Sequence, residues 1–132
     1  MKVISKIVFL TALSLFLTGC LSDPVTPPTG ILGGNVTLGP LCPVEPCNLS
    51  VVELTEIYNN REIIIYELDS TTEVLRYQVD LNKIFLFVVF GGEYILDINY
   101  YGMDVSQDVP VKINVPNGES VLFDIDIDTQ IR

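Results

Sequence analysis

Ile84-Phe85-Leu86-Phe87-Val88-Val89-Phe90-Gly91-Gly92-Glu93-Tyr94-Ile95-Leu96-Asp97-Ile98 carries most of the fold information in this chain. Ile84–Val89 is almost continuously apolar, as a central strand buried on both faces is expected to be. Gly91-Gly92 then breaks the run. Beyond it Tyr94, Leu96, Ile98 and Tyr100 alternate with Glu93, Ile95, Asp97 and Asn99, which is the period of a strand with one buried face.

The same period extends in both directions. Val36 and Leu38 oppose Asn35 and Thr37; Leu75, Tyr77 and Val79 oppose Arg76, Gln78 and Asp80. Val111, Ile113 and Val115 oppose Lys112 and Asn114. Val121, Phe123, Ile125 and Ile127 oppose Leu122, Asp124, Asp126 and Asp128. Arg61–Leu68 is a second continuous apolar run suited to a central strand. Turn signals separate the runs at Asn59-Asn60, Asp69-Ser70, Leu81-Asn82-Lys83 and Pro116-Asn117-Gly118. Asn-Gly is the strongest of these, because a type I′ hairpin turn needs positive φ. Leu49–Tyr58 fits either an edge strand or a helical turn. About seven short strands with regular turns predict an all-β, seven-stranded antiparallel Greek-key sandwich.

The stretch from Lys83 to Leu96 also resembles the central signature of carboxypeptidase-regulatory-like, prealbumin-like (transthyretin-like) domains. Phe85, Phe87, Gly92, Tyr94 and Leu96 match it, and Gly118–Ile125 is similar to that family's last hairpin. Gly39-Pro40-Leu41-Cys42-Pro43-Val44 resembles an opening seen in some exported members. Lys83 replaces the usual turn glycine and Phe90-Gly91 replaces Pro-Pro. The resemblance covers residues 33–128 and implies an accessory, adhesive or spacing module without catalysis. Phe85, Phe87, Tyr94, Leu96, Phe123 and Ile125 would build its core.

At the other end, Leu17-Thr18-Gly19-Cys20 resembles the lipobox of bacterial lipoproteins. Lys2 and Lys6 precede an apolar run, Ile7–Leu17, of about 11 residues, within signal-peptide range and short of the roughly 20 that span a bilayer. The competing reading is an ordinary secretory signal with a chance cysteine. The resemblance implies cleavage before Cys20 and lipidation of its thiol, two acyl chains being enough for stable anchoring. Leu21 in place of Asp points to outer-membrane delivery in a Gram-negative host. The expected organisation is therefore a signal peptide over 1–19, a lipidated Cys20 and Pro-rich tether over 20–32, and the sandwich over 33–132. Pro24, Pro27 and Pro28 favour an extended polyproline spacer.

The 132 residues carry 7 basic and 17 acidic side chains, a net charge of −10, and no His. Loss of residues 1–19 with their two lysines would make it −12. Such a polyanion does not bind nucleic acid through phosphates. The absence of His removes the commonest general base and zinc ligand. With no Gly-rich phosphate loop or activated cysteine, the expectation is no enzyme and no cofactor. In an oxidising compartment, Cys42-Pro43-Val44-Glu45-Pro46-Cys47 is expected to close as a local disulfide.

Three further sites each have a plainer reading. Asp124, Asp126 and Asp128 offer hard oxygens to a cation such as calcium, or are simply a solvated strand face. Tyr101, with Tyr94 and Tyr100 turned inward, offers a small aromatic patch. Lys112 and Asn114 stand too close on one strand to form a Lys–Asn cross-link. The functional expectation is a lipid-anchored envelope or surface protein. It would hold the membrane through Cys20 and bind an unidentified envelope or extracellular protein or polymer. The alternative is a sandwich that binds a small apolar ligand between subunits, or binds through calcium.

Overall fold

The computed structural model describes Gly19 and residues 28–132. Two sheets form a sandwich. The first is built on β1 (Thr29–Gly39), which pairs antiparallel with β4 (Ile84–Phe90) on one side. Its other side pairs in succession with β7 (Ser120–Leu122) and β8 (Ile125–Asp128). The second sheet has the order β3 (Glu73–Gln78), β2 (Glu62–Tyr66), β5 (Gly92–Ile98), β6 (Val111–Val115).

The core lies between them and follows the alternation in the sequence. Leu32, Val36, Leu38, Phe85, Phe87, Val89, Ile125 and Ile127 come from the first sheet. Ile63, Ile65, Leu96, Ile98, Ile113 and Val115 face them from the second. Tyr77 meets Phe87 edge-on at 6.3 Å between ring centroids, and Phe85 tilts against Phe87 at 5.8 Å. Of the expected core set, Phe85, Phe87, Leu96 and Ile125 are buried, while Tyr94 and Phe123 are half-buried against them.

Several expectations change. Pairing is not antiparallel throughout, because β1 runs parallel to both β7 and β8. The last strand is interrupted at Phe123-Asp124. There the Phe123 backbone passes so close to Gly34 that a Cβ on Gly34 would stand 1.8 Å from the Phe123 carbonyl oxygen. β1 takes in Thr29–Leu32, within the stretch expected as tether: Leu32 is fully buried, and pairing runs from Thr29 opposite Phe90. Pro116-Asn117-Gly118 does not close a hairpin, since the strands on either side, β6 and β7, lie in different sheets. Gly118 alone of that turn has positive φ, at 74°.

Leu49–Tyr58 resolves as a helix, α1 (Val51–Asn59). Ser50 caps it: its hydroxyl accepts from the Glu53 N–H at 3.3 Å, and the Glu53 carboxylate accepts from the Ser50 N–H at 2.8 Å. This reciprocal box satisfies two otherwise orphaned donors. It also holds the Glu53 carboxyl below its ordinary pKa, chiefly through the Ser50 backbone N–H. Tyr58 is the buried residue of this helix. No helix among the described residues is long and apolar enough to cross a membrane.

Candidate functional site: an uncovered apolar sheet face

The run Ile84–Val89 does not form a central strand. β4 pairs only with β1 and sits at the sheet edge. Its side chains alternate accordingly. Phe85, Phe87 and Val89 enter the core, while Ile84, Leu86, Val88 and Phe90 stand on the outer face, where nothing among the described residues covers them. Leu122 on β7 shares that face. Exposure runs from 52% at Ile84 to 79% at Leu122.

The register explains why these side chains form one surface. Leu86 lies opposite Gly33 and Val88 opposite Ile31 across the β1–β4 ladder. On the other side of β1, Leu122 lies beside Gly33. Gly33 lowers the floor between Leu86 and Leu122, and no charged side chain stands on the outer face of β4, β1 or β7. The patch ends where Asn35 meets Ile84 and Asp124. The Asp124 carboxylate accepts from the Asn35 N–H at 2.8 Å and from its amide at 3.1 Å. Those donors hold the Asp124 carboxyl below the ordinary carboxylate range.

The three carboxylates of the sequence reading do share the outer side of this sheet, but they do not converge. Asp124 is engaged by Asn35. Asp128 accepts from the Gln130 N–H at 2.8 Å and pairs with Arg132 at 3.0 Å, and these contacts lower its pKa. Asp126 is exposed, and its backbone N–H donates to Asp108 at 2.8 Å. No group of three or more ligating side chains among the described residues is placed to hold a metal ion.

Cys42 and Cys47 are bonded, with Cα atoms 5.9 Å apart, inside the usual disulfide range. Cys20 and Leu21 lie outside the described residues. Tyr94 packs against the core, and its hydroxyl donates to the Phe90 carbonyl at 2.5 Å. Desolvation, with the nearby Glu67 charge second, raises its pKa. Tyr100 contradicts the inward assignment: β5 stops at Ile98, the alternation stops with it, and Tyr100 is exposed. Lys112 pairs with Glu93 across β5–β6 at 3.0 Å.

A buried ion pair, which no local sequence signal announces, lies away from this face. Arg61 and Asp104 form a buried bidentate pair, with Nε–Oδ2 at 2.9 Å and Nη2–Oδ1 at 3.0 Å. Arg61 Nη1 also donates to the Ile57 carbonyl at 2.7 Å, and the Tyr101 ring lies 4.8 Å from the guanidinium. The Arg61 side chain, just before β2, thus reaches α1 and the loop after β5. The bidentate pair and the Ile57 bond clamp these segments together.

No protein-family model and no curated protein matches the chain. Among solved structures it is similar to a DUF3823 family protein from Parabacteroides merdae ATCC 43184, at 17% identity and a TM-score of 0.43. That match takes in 77% of this chain and 47% of the other, so this chain spans under half the length of its neighbour.

Proposed function

We propose that this chain is a lipid-anchored envelope protein. In this reading its sandwich is a non-catalytic interaction module that docks through the outer face of β4, β1 and β7. The observation that carries the reading is the uncharged face of Ile84, Leu86, Val88, Phe90 and Leu122 on a chain of net charge −10. An acidic exterior keeps such a molecule soluble, and an apolar area left open within it is the usual mark of an interaction surface. The prealbumin-like, Greek-key assignment belongs to the same reading. It is supported by the split into 4-1-7 and 3-2-5-6 orders, and by connections that cross between sheets at β1–β2, β3–β4, β4–β5 and β6–β7.

Anchoring through Cys20 rests on the lipobox resemblance, and Leu21 favours the outer membrane where there is one. An apolar groove of about 220 Å³ opens between β3 and β4, lined by Val74, Leu75, Val88, Val89, Phe90 and Tyr94. It falls below the roughly 300–1,000 Å³ of ordinary ligand pockets, so this groove adds no support to a small-ligand site on this face. The calcium reading has only the dispersed carboxylates behind it.

The test is to replace Val88 in the full-length chain with a photo-activatable residue in intact cells of the host. Cross-linking to a protein, abolished by Leu86→Glu, is the expected result. No adduct from this position would sink the docking reading.

A further inference from the structure

The occupant of the apolar face can be narrowed by size, charge and symmetry; this step rests on the docking reading above. Five side chains, 52–79% exposed, present on the order of 500 Å² of apolar surface, at the upper end for ordinary monomers. One such face against an unlike charged surface would strand the partner's charges without a counter-charge. Two copies of the same face bury together on the order of 1,000 Å², about the lower bound for a specific interface. Charge points the same way. Two chains of net −10 repel wherever their carboxylates approach, and this is a face on which neither brings a charge.

The layout of the sheet sets the geometry. The patch occupies the Thr29–Asn35 half of β1, and the row Asp124, Asp126, Asp128 flanks the other half. For two sheets to stack face to face, the two-fold axis must lie in the interface plane. An axis along the strands would set each acidic row against its mate. An axis across the strands reverses their direction and carries the two rows to opposite ends. We infer that the chain self-associates as a face-to-face dimer of its β4-β1-β7 sheets, about a two-fold axis that crosses the strands near Leu86 and Gly33. Leu86, Val88 and Leu122 fill its dry centre, and the acidic rows point apart into solvent.

The experiment uses the full-length chain from its host membrane. Sedimentation equilibrium in density-matched detergent reads the mass, and the photo-activatable residue at position 88 reads the neighbour in cells. The expected result is twice the mass of the single extracted chain, lipid included, and an adduct of two copies. Leu86→Glu should weaken self-association at least tenfold and leave the strand signal in circular dichroism unchanged, because Leu86 is already in solvent in the single chain. A monomer whose position 88 cross-links to a different protein overturns the dimer and leaves the docking reading standing. A monomer with no adduct overturns both. A Leu86→Glu chain that still sediments as a dimer overturns the assigned interface.

Discussion

At Gly34 the Phe123 backbone leaves no room for a side chain. A methyl group there would meet the Phe123 carbonyl oxygen and carbon at 1.8 and 2.6 Å, and neither can rotate away. Gly34→Ala should therefore cost about 3 kcal/mol, the high end for overpacking, read as a lower denaturant midpoint. At Arg61, truncating its partner leaves a buried charge without compensation. Asp104→Ala should cost about 3–5 kcal/mol by the same measurement. Asp69 is one of the carboxylates that contribute to the acid limb. The Thr72 hydroxyl and the Thr72 and Thr71 N–H groups lower its pKa from 3.8 to about 2. A depressed carboxylate contributes stability above its unfolded pKa and loses it as pH falls through the folded value. Asp69→Asn should thus flatten the fall in denaturant midpoint between pH 4 and pH 2, with little change in slope above pH 5. None of these three roles was legible in sequence, because each depends on a partner brought in by folding or on a turn geometry that many residues could adopt.

At the scale of elements, local chemistry was readable where it was local. Ser50 and Glu53 stand at the spacing of a capping box, a signal that resolves the ambiguity of Leu49–Tyr58 in favour of α1. Ser50→Ala should cost about 1 kcal/mol, with loss of helical ellipticity in proportion. Cys42–Cys47 closes a loop only five residues apart in sequence, so little chain entropy is removed from the unfolded state. Reduction should lower stability by about 2 kcal/mol at most and leave the strand signal in circular dichroism intact. β4 is the instructive failure. An apolar run reads as buried on both faces, yet Ile84, Leu86, Val88 and Phe90 face solvent. Periodicity reports which side chains avoid water in the working molecule, and an interface satisfies that demand as well as a core does.

For the whole molecule, the anchor and the acidic body divide the work in the proposed reading. Intact mass of the membrane-extracted chain should show a start at acylated Cys20 and a gain of two daltons on reduction of Cys42–Cys47. An unmodified mass would remove the anchor. The sequence by itself determined the strand class, the inward and outward partition within most strands, the disulfide and the strongly acidic surface. These follow from local period, local spacing and composition, which need no knowledge of distant neighbours. Only the tertiary structure decided that β1 lies between β4 and the β7–β8 pair, and that it runs parallel to β7 and β8. It also decided that Pro116-Asn117-Gly118 bridges sheets, and that Arg61 finds Asp104 across 43 residues. Strand order and long-range pairing are set by the global packing of one sheet on the other. Many orders satisfy the same alternation, and the free-energy difference among them resides in contacts that no short stretch of sequence contains.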